Sequence, residues 1–585
     1  MFKKDQQALV SIIHQYCREN ELPEIDMQWK GIPFSGHWGI STSFFQLASA
    51  EAKTDKKVIV PQRAQEHAEA VAAKLGTFPG FDQFEAVRGY LNCYFSTSTY
   101  VARVIDTVIQ DGKSFGQGDA KNQRIMVEFS QPNTHKAFHV GHLRNVILGS
   151  AVCNILEFAG YDVIRANYIG DIGLHVIKWI WTYLKYHQDE EPQGNITQWM
   201  GTIYAEADSH YTGSPEVEKE VRELFARWDQ RDPELVALWK KTRDWSMQGF
   251  FQVYETLGVK FDRYYYESEV EDSGKDIVKI LIEKGIARDE RPEGAVIIPL
   301  DEILGEKEKY RVMVILRSDG TSLYATKDLP LAINKVEEYK LDKSIYVIDV
   351  RQSLYMQQIF KTLELLGYAW AKNLYHLAYE IVNLPGNVTM SSREGTVVLL
   401  EDLINQATSE AMKIVEEKNP ELSAEDKQAV AKAVALGGIR YSMLSRDNTK
   451  IVTFDWKSAL DINGQAAPYI QYAYVRANSI LRKFSDEIPA SIPLNYELTL
   501  PEVELIDCIT RFPMEVQRAA ADNHPLYIST YAYELASLFN SFYRSCPVLK
   551  AEPEVRDFRL RMVAAAKQTI ENSLSLLGIT APNVM

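Results

Sequence analysis

The feature that most constrains the fold is a strand–helix–strand pattern between residues 123 and 171. QRIMVEFS is a short apolar run bounded by polar residues, which predicts a buried strand, and the apolar residues after it recur every three or four positions, which predicts a helix. The helical pattern stops at the glycine of AGYD, and DVIRANYIGD follows as a second strand. This βαβ unit predicts an α/β fold built on a doubly wound parallel sheet.

Three histidines, His135, His139 and His142, stand where the first strand gives way to the helix. Their spacing suits a metal site, because imidazole is a common ligand and residues three or four apart on a helix share a face. However, no nearby Cys or carboxylate completes a ligand shell. A helix start beyond a parallel strand instead attracts anions, and Gly141 lets the backbone come close to a ligand. We therefore interpret the cluster as a phosphate clamp, in which His135 is the weakest candidate.

Composition limits the class of protein. The 585 residues are 46% hydrophobic and 24% charged, which is typical of a globular protein with several domains. There is no apolar run of about 18 residues, the length a membrane helix needs, and the first helix is too polar for a signal peptide, so we expect a cytoplasmic protein. Five scattered cysteines without a C-x-x-C pair predict reduced thiols and no structural zinc. The net charge of −15 argues against indiscriminate binding to nucleic acid but allows a local basic face.

Changes of pattern along the chain predict its domains. We expect a small α+β N-terminal domain at 1–115 and a Rossmann-type catalytic domain at 116–402, with a charged, Trp-rich helical insertion at about 185–262. A helical junction at 403–462 and an all-α domain at 463–585 complete the chain. A sheet enzyme followed by a helical module usually separates chemistry from recognition.

Three stretches form an ordered set of motifs: PNTHKAFHVGH at residues 132–142, NVTMSSREGTVVLLEDLI at 387–404 and PYIQYAYVRANSIL at 468–481. This set resembles the arginyl-tRNA synthetase family of class I aminoacyl-tRNA synthetases. HVGH resembles the HIGH signature, and the first stretch its extended form in that family. The second stretch is similar to the KMSKS loop and the sequence after it, and the third to the junction with a helical anticodon-binding domain. The resemblance covers essentially the whole chain. It implies an enzyme that activates L-arginine with ATP, releases pyrophosphate and transfers arginine to the 3′ end of its tRNA.

The same resemblance implies ligands and partners. These are ATP with Mg²⁺, L-arginine and the tRNA for arginine, with no membrane and with a monomer as the default. The N-terminal domain is implied to bind tRNA as well. Two alternatives stay open: a class I synthetase for another amino acid, and a catalytically silent paralogue that binds tRNA as a regulator. The intact HVGH argues against the silent paralogue, whereas the altered KMSKS loop argues mildly for it.

Activation of an amino acid needs positioning and charge stabilisation at the phosphates but no protein nucleophile. The candidates for ATP binding and catalysis are His139, Gly141, His142 and the loop residues Met390, Ser391, Ser392 and Arg393. The loop departs from KMSKS, because Thr389 and Ser392 stand at its two lysine positions. Family members that lack the lysine resemble this chain in carrying a Lys just before HIGH, here Lys136. We predict that Lys136 supplies the missing cation.

The amino-acid pocket should contain carboxylates, because a guanidinium is a planar fork of five donors. Glu128 ends the first strand, and Tyr324 and Asp328 share a helix face. The resemblance implies that these three bind the guanidinium, while Asn133 and Gln352 hold the α-amino and carboxylate groups. Tyr355 stands where relatives often carry a His.

A helical segment near residue 470 is the candidate for contacts with tRNA bases. Tyr469, Tyr472 and Arg476 lie near one helical face, with Lys483 further along, and aromatic rings with cations grip unstacked bases. A helix that packs its tyrosines inward fits the pattern equally well.

Overall fold

The structure is a computed structural model that describes residues 2–384, 388–389, 400–490 and 492–585. It contains two compact units, each assembled from separate parts of the chain. The first consists of Met1–Phe115, Arg476–Phe512 and Glu534–Ile570, and the second of Gly116–Val475, Pro513–Tyr533 and Glu571–Met585. The domain boundaries expected from the sequence remain predictions, because each unit draws on several parts of the chain.

The N-terminal part of the first unit has the expected α+β fold. Its elements are α1 (Lys3–Glu19), β1 (Lys30–Ile32), β2 (Gly39–Ser43), α2 (Phe45–Thr54), α3 (Val60–Leu75), β3 (Phe81–Val87), β4 (Tyr90–Phe95) and α4 (Thr97–Asp111). The strands form an antiparallel sheet in the order β1-β2-β4-β3. Every second residue of β4 is buried, as in a strand with one face on a core.

This N-terminal part contacts residues from the C-terminal third within the same unit. Trp38 Nε1 donates to Asp507 at 3.3 Å, and the Trp38 ring stacks on Tyr100 with centroids 4.7 Å apart. Arg561 donates to Asp106. Local sequence patterns do not predict these contacts, because the partners are hundreds of residues apart.

The second unit begins with alternating strands and helices. Its elements as far as residue 389 are β5 (Arg124–Glu128), α5 (Val140–Phe158), β6 (Asp162–Ile169), α6 (Leu174–Tyr186), α7 (Ile196–Tyr211), α8 (Pro215–Asp229), α9 (Pro233–Leu257), β7 (Arg263–Tyr266), α10 (Glu267–Glu283), β8 (Arg288–Asp289), β9 (Val296–Pro299), α11 (Leu300–Leu304), β10 (Val312–Leu316), α12 (Ala325–Tyr339), β11 (Lys343–Asp349), α13 (Ser353–Leu365), β12 (Leu374–Tyr379), β13 (Val382–Leu384) and β14 (Val388–Thr389). Five of these strands pair in parallel in the order β12-β11-β5-β6-β7. The chain runs outward from β5 in both directions, so the predicted doubly wound parallel sheet is confirmed. Ligands of such sheets bind beyond the carboxyl ends of the strands where the order reverses.

Three parts of the second unit before residue 400 lie outside this sheet, one of which is the pair of strands β13 and β14. Helices α6 to α9 share a core rich in tryptophan, which includes the buried Trp179, Trp228, Trp239 and Trp245. Strands β8, β9 and β10 form a separate antiparallel sheet. The sequence predicts a doubly wound sheet for this domain and no separate antiparallel sheet.

Helix α5 lies in the core behind the carboxyl end of β5. A Cβ atom at Gly149 would lie 2.3 Å from the ring of Phe129, so only glycine allows the helix to pack this closely. The helix ends before Gly160, whose φ of +99° is the left-handed conformation that terminates helices. The predicted glycine stop in AGYD is therefore confirmed.

The rest of the chain is almost entirely helical. Its elements are α14 (Leu400–Lys418), α15 (Ala424–Leu444), β15 (Val452–Thr453), α16 (Trp456–Ala459), α17 (Ala467–Lys483), α18 (Leu500–Asp522), α19 (Leu526–Ser545) and α20 (Pro553–Leu576). The expected all-α C-terminal region is confirmed. Within the described parts of the chain, no helix has the length and apolar character needed to cross a bilayer.

Candidate active site

The predicted phosphate clamp lies at the start of α5, beyond the carboxyl end of β5. His139 is the N-cap residue, and its Nδ1 accepts from the backbone N–H of Gly141 at 3.1 Å. The Nδ1 of His142 accepts from the backbone N–H of His139 at 3.3 Å. The two rings stack with their centroids 3.9 Å apart. Because each Nδ1 is an acceptor, the hydrogen-bond pattern assigns the single proton of each neutral ring to Nε2.

Both rings of the clamp are neutral at physiological pH. Burial, assisted by the charge of Lys136, lowers the pKa of His139 to about 4. Burial also lowers the pKa of His142 well below its ordinary value, with smaller effects of His139 and Lys136. The site therefore contains two neutral Nε2–H donors beside one cation. The Lys136 Nζ lies 5.0 Å from the centre of the Tyr204 ring of α7.

His135 lies in the core. Its Nδ1 is 2.9 Å from the hydroxyl of Thr134, and its Nε2 is 2.9 Å from the hydroxyl of Thr242. Its ring packs edge-on against Trp179, and the side chain is fully buried. Since both ring nitrogens have partners inside the protein, His135 holds the loop in place, and the clamp consists of His139 and His142.

Glu128, at the end of β5, has a cation beside it in the protein. Lys335 of α12 donates to its Oε2 atom, and Gln131 Nε2 donates to Oε1 at 2.9 Å. Whichever side chain holds the shared proton, the pair of Glu128 and Lys335 has no net charge. Three aromatic rings surround the Lys335 ammonium at 5.0 to 5.8 Å, those of Tyr168, Tyr265 and Tyr346.

Asp328 of α12 differs from its neighbours in having a tyrosine as its partner. The Tyr355 hydroxyl donates to Oδ2 at 2.5 Å. Glu267, the first residue of α10, is paired with Lys327 at 2.6 Å. Of these carboxylates, Asp328 is therefore the one without an ammonium or guanidinium partner within the described residues. Burial raises its pKa to about 6, and the Tyr355 hydrogen bond acts in the opposite direction.

The remaining candidates for the amino-acid pocket are Asn133, Tyr324 and Gln352. Asn133 forms an isolated bridge with Gly170, and a Cβ atom at Gly170 would lie 2.2 Å from Asn133 Oδ1. Tyr324 precedes Asp328 by one turn and is 74% exposed. Gln352 is exposed and occupies the N-cap position of α13 without a capping hydrogen bond from its side chain. Their roles in substrate binding remain predictions.

Comparisons with known proteins identify the family. A family model described as the catalytic domain of "tRNA synthetases class I (R)" matches residues 103–456, more than half of the chain. A second model, the "DALR anticodon binding domain", matches residues 470–585. The arginine–tRNA ligase of Bdellovibrio bacteriovorus is 37% identical over 505 residues, which cover 85% of this chain and 86% of that protein. The chain belongs to the class I arginyl-tRNA synthetase family.

Other arginyl-tRNA synthetases match nearly the full length. The arginine–tRNA ligase of Clostridium botulinum strain 657 is 33% identical over 576 residues, which cover 97% of this chain and 98% of that protein. The Thermus thermophilus arginyl-tRNA synthetase structure matches with a TM-score of 0.78 and 27% identity, over 99% of this chain and all of the other. The Plasmodium falciparum enzyme has the same fold, with a TM-score of 0.73 at 18% identity over 100% and 99% of the two chains.

Part of the predicted ATP site of this synthetase lies outside the described residues. Met390, Ser391, Ser392 and Arg393 are in that segment, and of Thr389 the structure describes only the backbone, at the end of β14. Their roles, and the replacement of the loop lysine by Lys136, remain predictions.

Three residues near the pocket of this synthetase were not predicted from the sequence: Glu267, Lys335 and Tyr355 as a partner of Asp328. A signal for Glu267 was present, because it directly follows β7, as Glu128 ends β5, and the carboxyl ends of parallel strands meet at one edge. Lys335 lies seven residues, about two helical turns, after Asp328, so the two share a face of α12. Its pairing with Glu128, 207 residues away, had no signal in the sequence.

The predicted tRNA contacts of this synthetase all lie on α17 but in different units. In the second unit, the Tyr469 ring lies 5.2 Å from that of Tyr533, and Tyr472 is 39% exposed. In the first unit, Arg476 donates to Asn540 and lies over the ring of Tyr543 at 4.6 Å. Arg476 and Tyr469 thus have partners inside the protein, and base recognition by these side chains remains a prediction.

Proposed function

We propose that this protein is an arginine–tRNA ligase, which activates L-arginine with ATP to arginyl-adenylate and pyrophosphate and then transfers arginine to the 3′ end of its tRNA. The observation that carries the proposal for the amino acid is the charge pattern of the pocket. Glu128 and Glu267 each have a lysine partner, and in the described parts of the chain Asp328 does not. One uncompensated carboxylate matches one guanidinium, which binds carboxylates through charge-assisted hydrogen bonds.

The clamp supports the activation step. The arginine carboxylate attacks the α-phosphate of ATP, so negative charge spreads over phosphate oxygens as pyrophosphate leaves. The Nε2–H groups of His139 and His142 donate to these oxygens, and Lys136 adds a positive charge next to them. Donors and cations fixed in advance stabilise such charge without a protein nucleophile. Arg393 and the loop around it would close over the pyrophosphate.

The proposed ligands and cellular setting follow from this reaction. Magnesium would be bound with ATP, through its phosphates; the described residues contain no group of three His, Cys, Asp or Glu side chains that could hold a metal ion. The tRNA for arginine would contact the N-terminal region and the C-terminal helices. We infer a cytoplasmic monomer, in keeping with five cysteines that are buried and free.

Aminoacylation of bulk tRNA with each of the twenty amino acids tests the proposal. We expect charging with arginine that depends on ATP and magnesium, with the other nineteen at background. Charging with a different amino acid would indicate a class I synthetase of another specificity. Binding of tRNA without any charging would indicate the silent paralogue.

A further inference from the structure

Tyr355 fixes the orientation of the Asp328 carboxylate. Its hydroxyl donates to Oδ2 at 2.5 Å, and its ring packs against the hydrophobic core beneath α13, so the donor has a defined position. A carboxylate has two oxygens and accepts about four hydrogen bonds, so the bond from Tyr355 leaves Oδ1 for a ligand. No other described side chain forms a hydrogen bond with Asp328.

Asp328 has few other charges near it. Glu267 disfavours its ionisation and Lys327 favours it, but each of these acts less than the Tyr355 hydrogen bond. Lys327 is already paired with Glu267. The titratable groups around Asp328 come from five elements or their ends: Glu267 of α10, Lys327 of α12, Tyr324 at its start, Tyr168 of β6, Tyr346 of β11 and Tyr355 of α13.

We propose that Tyr355 is a positioning residue that determines recognition of the amino-acid side chain: it fixes the Asp328 carboxylate so that Oδ1 accepts from the guanidinium of arginine. This inference rests on the proposed function. The hydroxyl also favours the ionised carboxylate, which binds a cation, over the neutral acid. Tyr355 thus acts on the substrate through Asp328. Among the described residues its hydroxyl bonds to Asp328 and not to His139 or His142, so its removal should affect binding of arginine and leave binding of ATP unchanged.

Replacement of Tyr355 by Phe tests the proposal. We expect the KM for arginine to rise about tenfold, while kcat and the KM for ATP change less than twofold. Because loss of the donor disfavours the carboxylate, the acidic limb of kcat/KM for arginine should move to higher pH, since this parameter reports the pKa of the free enzyme. Tyr355→His retains an N–H donor and should recover part of the affinity. The matched control is Tyr441→Phe, which removes a buried hydroxyl that donates to the Ser529 carbonyl at 3.1 Å. It should change neither the KM for arginine nor the acidic limb of kcat/KM.

The outcomes separate this inference from the proposed function. A wild-type protein that does not charge arginine would contradict the proposed function. A wild-type protein that charges arginine, with an unchanged arginine KM and pH profile in Tyr355→Phe, would overturn the role of Tyr355 alone. If Tyr355→Phe does not fold, the comparison is between Tyr355→Met, which has no donor, and Tyr355→His. We expect a several-fold higher arginine KM for Met, and equal values would overturn the inference.

Discussion

Lys335 and Glu128 form an ion pair in which the two side chains are only 1% and 4% exposed. Removal of one partner of a buried pair leaves an uncompensated charge, and this typically costs more than the pair itself contributes. The pair thus links α12 to β5, and the charge of Glu128 is balanced within the protein.

Replacement of Lys335 by Met should destabilise the protein by about 3–5 kcal/mol, because Glu128 remains buried without its cation. The double variant Lys335→Met, Glu128→Gln should recover most of this loss. Urea-induced unfolding measures the free energy of unfolding of the single and the double variant. The control is Lys185→Met, since Lys185 pairs with Glu220 at the surface, where both are at least 40% exposed and a pair contributes about 0–1 kcal/mol. Equal losses in the free energy of unfolding for Lys335→Met and Lys185→Met would show that the buried pair stabilises the protein no more than a surface pair does.

Replacement of Asp328 by Asn removes the uncompensated carboxylate. A hydrogen bond to a charged group contributes about 1.5–3 kcal/mol, so the KM for arginine should rise at least tenfold while the KM for ATP changes little. Steady-state aminoacylation measures both constants. Asp289→Asn, which alters a surface ion pair with Arg291, serves as the control. An unchanged KM for arginine in Asp328→Asn would remove Asp328 from the pocket.

The proton positions in the clamp can be tested at His142. Gln places its amide nitrogen near the position of Nε2 and so keeps the donor, whereas Asn imitates Nδ1 and keeps only the cap. We expect His142→Asn to lose about a hundredfold or more in kcat for adenylate formation, as on removal of a transition-state donor. His142→Gln should retain clearly more activity. The reverse order would contradict the assignment of the proton to Nε2.

The role of Lys136 can be tested by substitution and rescue. Lys136→Ala should lower kcat for adenylate formation by about a hundredfold or more and leave arginine binding nearly intact. Thr389→Lys in the same protein should recover part of the loss, because both cations would act on the same leaving group. If Lys136→Ala leaves kcat for adenylate formation unchanged, or if Thr389→Lys recovers none of the loss, the predicted clamp consists of His139, His142 and Arg393.

The order of events can be tested by ATP–pyrophosphate exchange. Arginyl-tRNA synthetases generally need bound tRNA before they activate the amino acid, and we expect the same here. Exchange should be negligible with arginine and ATP alone and should appear when the tRNA for arginine is added. Rapid exchange without tRNA would exclude this order.

The sequence predicted the part of the fold that depends on local patterns. The βαβ unit was predicted from the spacing of the apolar residues through β5, α5 and β6 and from the glycine after α5. The HVGH motif placed His139 and His142 at the start of the helix. Local patterns made His135 the weakest candidate of the three but could not show that it lies in the core, because only the folded chain brings Thr242 to its ring.

Features that depend on distant partners were not predictable in this way. The pairing of Glu128 with Lys335 has no local signal, and the role of Glu128 in binding the substrate remains a prediction. The antiparallel pairing of β8, β9 and β10 was missed because short strands give the same pattern in either kind of sheet. The grouping of the N-terminal residues with helical segments beyond residue 475 also depends on contacts such as Trp38 with Asp507.

The lysines of the pocket also limit the design of inhibitors. Among the described residues, Lys335 and Lys327 are already paired with Glu128 and Glu267, so the proposed pocket offers the carboxylate of Asp328 to the side chain of a competitor of arginine. A monocationic analogue would find its counter-ion at Asp328. An analogue with a second positive charge on its side chain, in addition to the α-ammonium that arginine also carries, would have to compete with Lys335 or Lys327 for a carboxylate, so neutral extensions of the side chain are the better starting point for tight-binding compounds.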